Sequence, residues 1–300
     1  MRSGYAAIIG KPNVGKSTLM NRMIGQKIAI TSPKPQTTRS RIETVYTDER
    51  GQIVFLDTPG IHRAKTKLGR YMDDVAEGTL KEADVIVWLA EPVSSVGDEE
   101  AHIIELLKRI EKSGPPLIFV MNKADKLKDE KELSRLFSLY GTELSPIKRM
   151  GVSAKTGEGV EELLSEIFAL LPEGPLFYDE DTVTTIPMRT LAEELIREKA
   201  LRLLSDEVPH GIAVVVEEYK ERPDGSIFIN ADIICERDSH KGMIIGKGGQ
   251  MLKRIGMAAR KDLEQETETK VDLRLFVKVR KGWRDDQGFI RSFGYDMRKL

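Results

Sequence analysis

The chain is expected to fold as an α/β domain, a mostly parallel sheet with helices on both faces, followed by a smaller α+β domain. Three observations predict this. Short apolar runs alternate with amphipathic helical stretches as far as residue 172. The alternation breaks at a proline- and acid-rich stretch, 171–185, and a different order follows it. A length of 300 residues is too great for one ordinary domain and comfortable for two.

In the first part the strands are expected at YAAIIG, GQIVFLD, DVIVWLA, PLIFVMN and IKRMGVS, each short and rich in Val and Ile. Helices are expected over Gly15–Ile24, Lys67–Lys81, Asp98–Lys112, Lys131–Tyr140 and Val160–Leu171. In the third, Ile103, Leu106, Leu107 and Ile110 fall on one stripe. Strands joined by crossover helices make a parallel sheet, which binds nucleotides at the carboxyl ends of its strands. Domain boundaries are placed at 1–173, a linker at 174–186, and a second domain over 187–300 with a basic C-terminal tail. That domain begins with a helix (Leu191–Leu204). Two strands (Ile212–Lys220, Ile227–Glu236) turn at Pro223-Asp224-Gly225. A glycine-rich turn, a helix (Gln250–Thr267) and a last strand (Val271–Arg280) complete it.

Composition narrows the function classes. Hydrophobic residues make up 40% and charged residues 32%, enough to bury two cores. No apolar run approaches the roughly 18 residues that span a bilayer, and the N-terminus reads as a first strand, not a signal peptide. Cys235 is the single cysteine, which excludes an intrachain disulfide and fits a reducing cytoplasm. The four histidines lack metal-ligand spacing, so zinc is not expected. The net charge of -1 hides an asymmetry. Residues 236–300 hold 16 Lys and Arg against 10 Asp and Glu, while the rest of the chain is acidic. A basic end on an acidic body suggests a polyanion partner there, or a solvated mixed surface.

The motifs carry the chemistry. Gly10-Lys11-Pro12-Asn13-Val14-Gly15-Lys16-Ser17 fits G-x-x-x-x-G-K-[ST] between a strand and a helix. Such a loop points successive backbone N–H groups at phosphates, with a helix N-terminus behind them. Lys16 is expected to reach the β- and γ-phosphates, Ser17 to ligate Mg²⁺, and Thr18 to line the same site. Asp57-Thr58-Pro59-Gly60 closes an apolar strand, where Asp57 can hold Mg²⁺ through water and Gly60 can offer an N–H to the γ-phosphate. Asn122-Lys123-Ala124-Asp125 follows another strand. Asp125 presents two acceptors to the N1–H and 2-amino donors of guanine, a pair that adenine lacks. Lys123 can cover the base, and Asn122 can tie its loop to the phosphate loop. Ser153-Ala154-Lys155, after a further strand, can give a backbone N–H to guanine O6. In the polar loop Gln36-Thr37-Thr38-Arg39, Thr38 is the expected hydroxyl that closes over Mg²⁺ and the γ-phosphate, with Thr37 the alternative. Lys16, Thr38 and Gly60 are thus the expected catalytic groups, and Ser17, Thr38 and Asp57 the metal set. A phosphotransferase could use the same first loop, but Asn122 to Asp125 argue for a guanine nucleotide.

In this order the set resembles the translation-factor-related class of small GTPases, in the branch of ribosome-assembly and tRNA-modification GTPases. The resemblance covers about residues 4–172. Many regulatory GTPases place a glutamine after the glycine of the second motif to orient water. Here Ile61 stands there, a hydrophobic replacement that this branch shares, so slow intrinsic turnover is expected. In some relatives an asparagine like Asn13 holds a potassium ion near the phosphates; the alternative is an asparagine that merely fits the loop.

In the second part, Gly246-Lys247-Gly248-Gly249 lies between two helical segments and matches the GxxG clamp of KH domains, in the bacterial ribosomal-protein variant. Ile244 and Ile245 are expected to line the base groove, with Lys247, Lys253, Arg254 and Lys281 supplying charge to the sugar-phosphate chain. A GTPase domain followed by such a domain resembles the Era-like family of bacterial GTPases over the whole chain. IREKALRLLSDEVPHGIAV, IIGKGGQMLKRIG and VKVRKGWRDD belong to that likeness. The resemblance implies GTP and GDP as ligands and RNA near the 3′ end of small-subunit (16S) ribosomal RNA. It also implies a role in 30S subunit maturation, a cytoplasmic location and peripheral association at the inner membrane. A monomer is expected.

Overall fold

The computed structural model describes residues 1–26, 42–60, 66–111, 114–140, 144–204, 208 and 211–295. Gln36, Thr37, Thr38, Arg39 and Ile61 lie outside the described residues.

The first domain holds a six-stranded sheet. Its elements are β1 (Arg2–Ile9), α1 (Lys16–Ile24), β2 (Ile42–Asp48), β3 (Gly51–Asp57), α2 (Lys67–Glu82), β4 (Val85–Ala90), α3 (Asp98–Glu111), β5 (Leu117–Met121), α4 (Glu130–Leu139), β6 (Lys148–Gly151) and α5 (Val160–Leu170). The order across the sheet is β2-β3-β1-β4-β5-β6. All neighbours are parallel except β2 and β3, an antiparallel edge pair. Alternate side chains of β1, β3, β4 and β5 enter two cores, one under α1 and α5, the other under α2 and α3. This is why those strands are apolar at nearly every position. The helices expected from periodicity are present with ends shifted by a residue or two. β2 was not among the expected strands: its sequence, IETVYTD, mixes polar and apolar residues as suits an edge.

The second domain is α6 (Met188–Leu203), β7 (Ala213–Glu221), β8 (Ile227–Cys235), α7 (Asp238–Ile245), α8 (Gln250–Thr267) and β9 (Val271–Val279). The sheet runs β7-β8-β9, with β7 antiparallel and β9 parallel to β8. Helices α6 and α8 cover one face, over Ile227, Ile229, Ala231 and Ile233. The C-terminal residues do not form a free tail as far as Tyr295. A 3-10 turn (Trp283–Asp285) and α9 (Gln287–Ser292) fold back, and Trp283 is fully buried with Nε1 donating to the Gly211 carbonyl at 3.0 Å.

Two attachments join the domains. Segment 174–186, expected as a linker, lies as a strap along the first domain. The Phe177 and Tyr178 N–H groups donate to Gln52 Oε1 at 2.8 and 2.9 Å. The Val45 N–H donates to the Val183 carbonyl at 2.9 Å, and Thr184 Oγ1 donates to the Glu43 carbonyl at 2.9 Å. The second attachment is α2. Leu68, Tyr71, Met72 and Val75 recur at i, i+3, i+4 and i+7 and form one apolar stripe. The stripe packs on Ala213, Ile234, Trp283, Ile290 and Tyr295 of the second domain. The Lys67 N–H, at the start of the same helix, donates to Asp285 Oδ1 at 3.0 Å. Burying each large member of such a stripe contributes about 1.5–3 kcal/mol.

Candidate functional site

The strand β1 ends directly into the phosphate loop, and α1 opens at Lys16. Asn13 (φ 64°) and Gly15 (φ 108°) take the left-handed conformation that folds the loop back on itself. Lys16 is buried, and its Nζ donates to the Gly10 carbonyl at 2.9 Å and the Lys11 carbonyl at 3.1 Å. Burial pulls the Lys16 ammonium down to about 8, against the raising effect of Asp57 and Glu99. A lysine so placed spans the loop's mouth, where a phosphate would compete for its proton donors. Ser17 Oγ lies 3.5 Å from Asp57 Oδ2. Asp57 is buried at the end of β3. A hydroxyl beside a carboxylate is an oxygen donor set that fits Mg²⁺, a hard cation. Thr58 Oγ1 donates to the Ile8 carbonyl at 2.8 Å, anchoring the second motif against β1. Gly60 passes so close that a Cβ there would lie 3.0 Å from Pro12 N. Thr18 sits on the exposed side of α1, and Val14 is buried under the loop.

The base-reading residues converge from β5 and β6. Asn122 is buried; its Nδ2 donates to the Val14 carbonyl at 2.8 Å and its Oδ1 accepts from the Ala154 N–H at 3.0 Å. One side chain thereby joins the phosphate loop to both base loops. Ser153 Oγ donates to Asp125 Oδ1 at 2.6 Å, and this bond holds the exposed Asp125 carboxyl below its ordinary range. Lys123 Nζ meets Glu91 and donates to the Asn13 carbonyl at 3.3 Å. Glu91 also receives Lys11 at 3.0 Å, and Lys11 reaches Glu100 at 2.7 Å. Glu91 and Glu100 bear on the site through these contacts, and Glu99 through its charge near Lys16. No motif contains them; the signal available in the sequence was their position just after β4 and at the start of α3.

In the second domain, Gly246 (φ 72°), Gly248 (φ 58°) and Gly249 (φ 76°) turn the chain between α7 and α8. Lys247, Lys253, Arg254 and Lys281 are all exposed and so available to a phosphate chain. Ile244 corrects an expectation. It is fully buried in the core with Ile255 and Ala259 and cannot line an open groove. Ile245 is half-buried at the edge of that core. The apolar side chain that α7 turns outward is Met243, 53% exposed. Lys278, on β9, is paired with Asp232 and Glu217.

Comparison with known proteins agrees with this geometry. Residues 5–123 match the family model of the 50S ribosome-binding GTPase, and residues 207–284 that of the KH domain. A phosphate-loop α/β domain bearing a guanine motif, joined to a KH domain, defines a GTPase that binds RNA. The chain is 48% identical to the GTPase Era of Geotalea uraniireducens over 296 residues, covering 98% of each chain. It is 47% identical to that of Caldanaerobacter subterraneus, covering 99% of each. A solved structure of Era in complex with MgGDPNP and nucleotides 1506–1542 of 16S ribosomal RNA superposes with a TM-score of 0.92 at 40% identity, over 99% of this chain and 100% of that one. A singly substituted Era of Aquifex aeolicus bound to GDP.AlF4- gives 0.91, also at 40% identity, over the same shares of the two chains. The chain belongs to the family of the GTPase Era. Among the described residues, no helix is long and apolar enough to cross a membrane.

Proposed function

We propose that the chain is a GTP-operated RNA clamp that binds the 3′ end of small-subunit ribosomal RNA and assists 30S subunit assembly. The observation that carries the switch reading is the second interdomain attachment. Helix α2 begins at Lys67, shortly after Gly60, and its apolar stripe is seated on the C-terminal fold of the KH domain. A displacement of the Gly60 loop on γ-phosphate contact is therefore transmitted to a packed element, which biases two arrangements of the second domain. The RNA target is supported by the related structure solved with nucleotides 1506–1542 of 16S ribosomal RNA.

In the first domain Lys16 holds the phosphates, and Ser17 and Asp57 are the described members of the Mg²⁺ set. Thr38 is proposed to complete that set. When bound, Mg²⁺ neutralises charge developing on the β- and γ-phosphates. Asn122, Lys123, Asp125 and the 153–155 loop hold guanine. Hydrolysis is slow without a partner because Ile61 has no group to orient water. The KH half uses Gly246, Lys247, Gly248 and Gly249 as the clamp, with Lys253, Arg254 and Lys281 on the phosphates. Domain limits of 1–173 and 187–300, joined by the strap at 174–186, are supported by the separate cores of the two sheets. The protein acts as a cytoplasmic monomer with peripheral contact at the inner membrane, which sedimentation with anionic vesicles checks. Asn13 is proposed as a potassium ligand; equal hydrolysis rates in potassium and sodium buffers would sink that assignment.

The test of the switch is RNA affinity measured with GDPNP, with GDP and without nucleotide. The wild type is expected to differ between states by roughly 5- to 150-fold, the usual range of a coupling free energy. Tyr71→Ala with Met72→Ala is expected to shrink that difference while GTP binding persists. Equal RNA affinity in all three states of the wild type would reject the coupling.

A further inference from the structure

The guanine loop is fastened to the first helix by a residue outside every nucleotide motif. Arg22, in the last turn of α1, donates from Nε to the Ala154 carbonyl at 3.3 Å and from Nη2 to the Lys155 carbonyl. The loop passes over its stem at Gly157 (φ 94°), where a Cβ would lie 3.9 Å from Arg22 Cδ. A trans peptide is planar, so a held carbonyl also fixes the N–H on the opposite side of the same unit. The Ala154 carbonyl shares its plane with the Lys155 N–H, and the Lys155 carbonyl shares its plane with the Thr156 N–H. The second plane has a visible consequence. The Thr156 N–H donates to Ser153 Oγ at 3.1 Å, and that hydroxyl donates to Asp125 Oδ1 at 2.6 Å. Bonds therefore run unbroken from α1 to the carboxylate proposed to read guanine. The first plane turns the Lys155 N–H away from Arg22, next to the Ala154 N–H that Asn122 Oδ1 already accepts.

We propose that Arg22 is a positioning residue for guanine recognition. It sets the two peptide planes of 154–156, so that a backbone N–H meets guanine O6 and Asp125 keeps its orientation. Its planar fork is suited to two carbonyls at once, which a lysine ammonium is not. Because α1 also starts at Lys16 and Ser17, one helix keeps the base end and the phosphate end of the site in register. The inference rests on the reading of 122–125 and 153–155 as the guanine site.

The experiment compares the full-length wild type, Arg22→Ala and Arg22→Lys in binding GDP, 6-thio-GDP and ADP. Sulfur in place of O6 is a poor acceptor, so the preference for GDP over 6-thio-GDP reports the backbone contact. Arg22→Ala is expected to weaken GDP roughly tenfold, the scale of one charge-assisted hydrogen bond. It should weaken 6-thio-GDP less, so the preference shrinks severalfold, and Arg22→Lys should recover part of it. Arg22 is exposed, so its truncation opens no cavity and melting should move little. Equal losses for GDP and 6-thio-GDP, or GDP affinity within twofold of the wild type, would overturn the role. A wild type that binds ADP as well as GDP would instead refute the guanine site itself.

Discussion

A side chain added at Gly10 would meet the Leu89 carbonyl at 2.4 Å, and one at Gly15 would meet Asn122 Nδ2 at 2.2 Å. One added at Gly248 or Gly249 would meet nothing within 4 Å, although both positions have a positive φ. Gly10 and Gly15 thus need to be glycine for a different reason from Gly248 and Gly249. The phosphate loop is walled in by its own domain, with Lys16 buried and Asn122 pinning Val14 from behind. It is shaped before any ligand arrives. At Gly248 and Gly249 the GxxG loop has open space where the side chains are missing, which leaves that face clear for an RNA backbone, whereas at Gly246 a Cβ would meet Met251 Cβ at 2.7 Å. Pre-organisation in the first case and clearance in the second predict different mutational behaviour.

The largest effect is expected at the walled loop. Lys16→Ala should weaken GTP by about 100-fold or more, the scale of losing a charged donor in a water-poor site. RNA binding by the nucleotide-free protein should not change, as filter binding of a 16S 3′ fragment would check. Retained GTP affinity would mean that the loop's backbone alone suffices. Next comes the open loop. Gly248→Asp with Gly249→Asp places residues that tolerate left-handed backbone into empty space. The melting temperature should move by only a few degrees. RNA affinity should fall at least roughly tenfold, through repulsion of the phosphate chain, and the fall should lessen as salt rises. A collapse of the second domain would mean that this loop too is shaped by packing.

The smallest effect sharpens the electrostatic side of the comparison. In the free protein the Lys16 ammonium titrates at about 8, because burial disfavours its charge. Phosphates favour that charge, so the nucleotide-bound value must lie higher. Affinity is therefore complete below pH 8 and falls as pH rises past it, by up to about tenfold per unit until the bound value is reached. GDP titrations between pH 7 and 9.5 check this; a flat profile would mean that Lys16 stays protonated throughout.

Where a motif is a strand end and the few residues after it, its place in the fold is legible in the sequence. Gly10 to Ser17, Asp57 to Gly60 and Asn122 to Asp125 each lie at the end of an apolar strand, Ser153 to Lys155 follow the short strand β6, and the sheet order brings the carboxyl ends of these strands together. The failures have physical causes too. Met243, Ile244 and Ile245 are three consecutive apolar residues on the short helix α7, where periodicity cannot say which one turns inward. The basic count of the C-terminal stretch suggested a tail, but Trp283 and Ile290 on it complete a core that α2 of the other domain shares. The β2 edge is stabilised by the strap, whose Val183 and Thr184 lie far along the chain and leave no trace in the IETVYTD pattern.

The local order of residues determined the two fold classes, the glycine loops and the guanine preference. These depend on backbone freedom, strand hydropathy and donor-acceptor chemistry within short windows. Only the tertiary structure decided that Arg22 clamps a loop 132 residues away, that Ile244 is core and not groove, and that Lys67 of α2 meets Asp285 across 218 residues. Such pairings arise when cores formed by different parts of the chain pack together, and no periodicity or spacing along the sequence encodes which surfaces will meet.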